Sequence, residues 1–305
     1  MNWTLLDTWI VVNGALIAMA CALPGVFLLL NKQSMLGDAI SHAVLPGLAI
    51  AFLVSGSRDP LPMLVGAAAA GLFTGIVGNV IHRRGRVDSG AALGIVFCAL
   101  FALGLVLIRV AADRIDLDPS CVLYGSLEMA VIDVTPIPRI VWFSAGALVL
   151  NLLLAGIFFK ELRVAAFDAR FASANGISAG MLQQGLTVVT AVTTVVAFES
   201  VGSILVIAML IVPGATALLF CRTVTGTLLW SLAAAAFSAV LGHFLAILPA
   251  PYLIGMLVGH PDLGALSSAG MMAASAGLVF FTVLAITAIA RSLTLPRQNA
   301  IPIVD

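Results

Sequence analysis

Long apolar runs dominate this chain and limit it to one kind of fold. A helix needs about 20 apolar residues to cross a bilayer. Read on that rule, the spans fall at 8–30, 39–55, 61–82, 89–111, 138–159, 179–197, 200–220, 226–248 and 264–289. The second and sixth are short, and the sixth and seventh nearly touch at Phe198-Glu199-Ser200. Composition agrees: 62% of the 305 residues are hydrophobic and 9% charged, with a mean hydropathy of +1.17. A soluble domain of this length cannot hide that much apolar surface. The expected fold class is all-α, a polytopic integral membrane protein of about nine transmembrane helices, with eight as the alternative count.

The formal net charge is zero, so no basic face argues for nucleic acid. The first thirty residues show no basic leader and no small-residue cleavage pattern, and they read as a retained span. Cys21, Cys98, Cys121 and Cys221 are far apart and form no CxxC, which argues against a zinc knuckle or a disulfide framework. Lysine and arginine set the orientation. Of the 14, ten fall on one side of the alternation, among them Lys32, Arg83, Arg84, Arg86, Lys160 and Arg163, and four on the other. The richer side is expected to be cytoplasmic, which places the N-terminus outside and the C-terminus inside. The whole chain, 1–305, reads as one transmembrane domain with a membrane core at 8–290 and a short tail at 291–305.

Two connections are long. The outer one, 112–137, is acidic, and residues 120–131 within it suit a short helix at the interface. The inner one, 160–178, reads KELRVAAFDARFASANGIS and interleaves apolar and charged residues. It suits a short amphipathic helix offered to a partner, or a loop skimming the headgroups. Small residues recur at helix-packing spacing in Gly71/Gly75, Gly90/Gly94 and Gly255/Gly259.

The chemistry begins with an absence. Neither lysine follows glycine, so there is no P-loop, and HExxH and GxSxG are missing too. Such a chain draws on the membrane potential or on energy supplied by a partner. Against this background the stretch GDAISHAV places Asp38 and His42 four residues apart, on one helix face. Ionisable groups in a membrane segment point to function by default. Carboxylate plus imidazole is half a site for Zn²⁺, Mn²⁺ or Fe²⁺. The same spacing also describes a helix-start acid with a histidine bonded to it. Pro46 and Gly47 follow within a turn and invite a hinge, and broken helices are where transporters build ion sites. Glu199 reads as a gate residue, a further ligand or a solvated acid. His243, inside the eighth span, reads as a ligand completing a shell with Asp38 and His42, or as a packed histidine.

SMLGDAISHAVLPGLAIAFLVSG (34–56) and FESVGSILVIAMLIVPGATALLF (198–220) resemble two signatures of the bacterial ABC-transporter permeases for manganese, zinc and iron uptake. DLDPSCVLYGSLE (116–128) resembles the outer loop of the manganese/iron branch, bringing in Asp116, Asp118 and Cys121. FDARFASANGIS (167–178) is similar to the family's cytoplasmic coupling segment. Residues 249–275 fit the family's final region poorly. The resemblance implies an ABC importer permease with no resident cofactor and no enzymatic activity of its own. Its cargo would be a divalent metal. Its partners would be a cytoplasmic ATP-binding subunit, an extracytoplasmic metal-binding protein and a second permease chain, identical or not. The resemblance implies that Asp38 and His42 face the translocation path in the bacterial inner membrane, and that Phe167, Asp168, Asn175 and Gly176 couple to the ATPase. Two rival readings remain. One is an ion- or proton-coupled secondary transporter with Asp38/His42 as relay; the other is a membrane scaffold binding a partner through its acidic outer loop.

Overall fold

The computed structural model describes residues 3–56, 60–111, 127–131, 137–247 and 266–294. These form helices and no strand among the described residues. In chain order they are α1 (Leu5–Leu30), α2 (Met35–Ser55), α3 (Pro60–Gly85), α4 (Ser89–Ala111), α5 (Leu127–Ala130), α6 (Arg139–Ile157), α7 (Phe159–Phe167), α8 (Ala169–Ala174), α9 (Ala179–Val201), α10 (Ser203–Leu218), α11 (Val224–Ile247) and α12 (Ser268–Thr294). Eight are long and apolar enough to cross a membrane. The ninth expected span, 200–220, is α10, and its 16 residues fall short of that length. At 1.5 Å per residue it reaches about 24 Å, less than the hydrocarbon core of about 30 Å. Gly202, at φ +76°, separates it from α9, a left-handed backbone setting that suits glycine.

Helix α1 is the axis of the fold. Its most apolar window is 72% buried inside the chain, against 17% for α12, so α1 is wrapped by protein while α12 keeps most of its surface for its surroundings. It packs against α6, α9, α10 and α11. Its start is fixed by a capping box: Thr4 accepts from the Asp7 backbone N–H, and the Asp7 carboxylate accepts from the Thr4 N–H at 2.7 Å. Its end is a Schellman turn. The Gln33 N–H reaches the Leu28 carbonyl and the Lys32 N–H reaches Leu29, with Lys32 in the left-handed region at φ +57°. This tight turn leads directly from α1 into α2. Asn31 donates to Gln183 at 3.3 Å and Gln183 donates to Gln33, tying the turn to α9.

Helices α2, α3 and α4 pack against each other as a second group. Their closeness depends on missing side chains. A Cβ on Gly47 would lie 2.4 Å from the Gly66 carbonyl oxygen of α3, and one on Gly66 would lie 2.6 Å from the Gly47 oxygen. A Cβ on Gly104 of α4 would meet Pro46 at 2.8 Å. The expected Gly71/Gly75 pair does join two helices, lying against Ala191 and Thr187 of α9. Gly90 and Gly94 meet no other helix that closely, and Gly255 and Gly259 lie outside the described residues.

Two buried polar side chains of α6 bond to other helices. Pro24 leaves the Ala20 carbonyl without its helical donor, and Asn151 of α6 supplies one at 2.8 Å. The same Asn151 amide donates to Thr193 of α9 at 2.8 Å. Ser144 donates to Asn13 at 2.6 Å.

Candidate functional site

Asp38 lies in the first turn of α2 and His42 in the next. Ser34, not Asp38, occupies the cap position, and it makes no side-chain cap bond. The His42 Nε2 and Asp38 Oδ1 are 3.4 Å apart, with side chains 27% and 30% exposed. Being partly open, both can reach a passing ion. Asp38 stands at the N-terminal end of α2, where the backbone N–H groups of the first turn have no helical acceptor. On the other side, His42 is fixed by α4: its ring stacks on Phe97 and meets Phe101 edge-on, both at 5.4 Å between centroids. The aromatic walls set the ring plane and keep the neighbourhood apolar.

Pro46, four residues after His42, has no N–H to return to the His42 carbonyl. The backbone oxygen of His42 itself therefore lacks its usual helical donor. Helix α2 nevertheless runs through Pro46 and Gly47 as one element, and both are buried against α3 and α4. In this conformation they serve close packing.

The pair lies close to the α1–α2 turn. At 1.5 Å per residue, Asp38 is about 5 Å and His42 about 10 Å along a helix of about 31 Å.

The other candidates fall elsewhere. His243 is buried near the far end of α11, where its Nδ1 is 3.1 Å from the Ser268 hydroxyl and its Nε2 is 3.4 Å from Asp7 Oδ1. Trp3 meets its ring edge-on at 5.6 Å. The Glu128 carboxylate accepts from the Ser268 backbone N–H at 2.8 Å. The structure therefore brings His243 to Asp7 and Ser268, not to Asp38 and His42. Glu199 is in the last turn of α9. Asp116, Asp118 and Cys121 lie outside the described residues. Among the described residues no cluster of three or more His, Cys, Asp or Glu is placed to hold a metal within one chain.

The inner connection forms two short helices rather than one. Asp168 sits between them, and its carboxylate accepts from the Arg170 and Phe171 N–H groups at 2.9 and 3.0 Å, capping α8. A Schellman turn at Asn175-Gly176 stops α8: the Ile177 N–H reaches Ala172, the Gly176 N–H reaches Ser173, and Gly176 has φ +79°. Phe167 and Phe171 stand 72% and 58% exposed, an apolar offering on a charged segment.

Comparison with known proteins decides the family. The model of the ABC 3 transport family matches residues 5–250. This chain belongs to the ABC 3 transport family. The match ends where the sequence departs from the family pattern, at the approach to residues 249–275. The manganese transport system membrane protein MntD of Bacillus subtilis is 40% identical over 246 residues, covering 79% of this chain and 83% of that one. The zinc transport system membrane protein TroD of Treponema pallidum is 37% identical over 209 residues, covering 67% and 57%. Among solved structures, PsaBC from Streptococcus pneumoniae in complex with Fab matches with a TM-score of 0.72 at 28% identity, covering 92% of this chain and 91% of that one. The chain is a multi-pass ABC-transporter membrane subunit with an all-α permease fold.

Sequence reasoning missed the knot of Asn31, Gln33 and Gln183 and the convergence of Asp7, Glu128, Ser268 and His243. Each unites residues more than 100 positions apart, and no local spacing signals them.

Proposed function

We propose that this chain is the permease of a divalent-metal importer, passing Mn²⁺, Zn²⁺ or Fe²⁺ into the cytoplasm on energy from a separate ATP-binding subunit. The observation that carries the reading is the Asp38–His42 pair: one carboxylate and one imidazole on one face of α2, 3.4 Å apart and partly open. Oxygen plus nitrogen donors suit these borderline cations, whereas Ca²⁺ asks for more oxygens and Cu⁺ for sulfur. Two protein ligands bind weakly enough to release, as conduction requires. A second permease chain, placed with its own pair across the path, would complete the shell.

In this mechanism a binding protein delivers the cation from outside, and Asp38 and His42 replace part of its water shell. ATP-driven movement of the partner subunits acts on α7 and α8, through Phe167, Asp168 and the Asn175-Gly176 stop. The N-terminus lies outside and the arginine-rich face inside. Family membership favours this over a proton-coupled secondary transporter and over a scaffold, which leaves the open acid–histidine pair without a use.

The test is uptake of Mn²⁺, Zn²⁺ and Fe²⁺ by cells carrying the whole transporter, comparing wild type with Asp38→Ala and His42→Ala. Assembly is checked by pull-down of the ATP-binding subunit. At least a tenfold loss in an intact complex is expected, and the wild-type profile names the metal. Normal uptake in both variants would make the pair structural.

A further inference from the structure

A cavity of about 510 Å³ lies between α1, α6, α7 and α9, at the end of the bundle that carries the 160–178 segment. Its walls are apolar, with Leu23, Phe27, Leu154 and Leu186 among them. Glu161 of α7 contributes to the lining, and its Oε2 is buried with no hydrogen-bond partner. A buried carboxylate oxygen without a donor is costly. The volume is that of a small-molecule site, and apolar walls with few polar groups are the usual composition of one. The adjoining Lys160 and Arg163 are exposed.

The combination points to one class of ligand. The apolar wall accepts a hydrocarbon chain. The buried Glu161 oxygen asks for a cationic N–H donor. We infer that the cavity binds an aminophospholipid of the inner leaflet, its acyl chain between α1 and α9 and its primary ammonium on Glu161. Only the choice of leaflet rests on the orientation proposed above. Because α7 and residues 176–178 form part of the wall, the lipid would sit directly beneath the segment offered to the ATP-binding subunit.

Gly185 supplies a plug. It lines the cavity, and a Cβ built there meets nothing within 4 Å. Gly185→Leu therefore fills the space while favouring the helix. The experiment is native mass spectrometry of the full chain purified with its partner subunits. The complex is stripped of bulk lipid and then exposed to dioleoyl phosphatidylethanolamine or dioleoyl phosphatidylglycerol. Expected is one phosphatidylethanolamine retained per chain, weakened about tenfold by Glu161→Gln, the loss of one charge-assisted bond, and abolished by Gly185→Leu. Equal retention of both lipids, or identical retention by all three proteins, would overturn the assignment. So would a Gly185→Leu variant that separates paired permease chains and leaves lipid binding unchanged, since a second copy would then be the occupant. The readout does not use transport, so it stands or falls apart from the metal reading.

Discussion

Asn151 shows how single residues keep this fold closed. Pro24 leaves the Ala20 carbonyl of α1 without a helical donor, and Asn151 donates to that oxygen at 2.8 Å from another helix. Inside an apolar bundle no water takes over the task. Asn151→Leu is expected to cost about 1–3 kcal/mol, the penalty of an unsatisfied buried group. Pro24→Ala restores an N–H to the helix and should shrink the cost of Asn151→Leu, so the two changes will be non-additive in a double-mutant cycle. Thermal unfolding of the four proteins in detergent measures it. Equal effects of Asn151→Leu with and without Pro24 would mean that the amide acts through Thr193 alone. At this scale the sequence was only half legible. Pro24 and Asn151 are visible as oddities in apolar runs, but nothing local says that they answer each other. The Asp38–His42 pair was legible because both of its members lie within one turn of one helix.

Among elements, the two short helices α7 and α8 are specified by their ends. Asp168 caps α8 with two bonds, and Gly176 stops it in a left-handed conformation. Asp168→Ala should cost about 1 kcal/mol of local stability, and Gly176→Ala about 1–2 kcal/mol. Both should lower co-purification of the ATP-binding subunit by fraying α8. Phe167→Ala should lower co-purification while leaving the melting temperature of the isolated chain unchanged, because that ring is mostly exposed. Full co-purification in all three variants would send the docking surface elsewhere. The interleaved pattern of 160–178 suited a helix or a headgroup loop and hid the break between two helices, since Asp168 suits an exposed helical face as well as a cap. The length of α10 was hidden for a similar reason: apolarity continues past Leu218 to Phe220, and hydropathy does not register where a backbone turns. Crossing contacts were the least legible. Gly71/Gly75 sits on one helix and can be read, whereas Gly47 and Gly66 meet from different helices. Gly47→Leu is expected to force α2 from α3, costing about 1–3 kcal/mol by overpacking. It should also reduce uptake, because it displaces the helix that bears Asp38 and His42. Uptake at the wild-type rate with a normal melting temperature would show that the crossing tolerates a side chain.

At the scale of the whole molecule, two histidines meet two carboxylates at two separate places among the described residues. Their surroundings differ in a way that assigns them different work. Asp38 and His42 belong to one helix and are partly open, and the His42 ring touches a second helix through Phe97 and Phe101 of α4. His243 is buried and links α11 to the start of α1 through Asp7 and to the start of α12 through Ser268, whose backbone is held in turn by Glu128 of α5. An open pair within one helix can exchange partners with a passing ion. A closed set drawn from four parts of the chain gains by not changing. His243→Gln should therefore lower the melting temperature and reduce uptake of Mn²⁺, Zn²⁺ and Fe²⁺ in equal proportion, through the amount of folded transporter. His42→Cys gives up the ring contacts with Phe97 and Phe101, so some loss of melting temperature is expected, and it should shift preference from Mn²⁺ toward Zn²⁺, because thiolate is the softer ligand. The ratio of uptake rates among metals, rather than any one rate, separates the two roles. A changed ratio in His243→Gln would return that histidine to the translocation path, and an unchanged ratio in His42→Cys would remove the α2 pair from it.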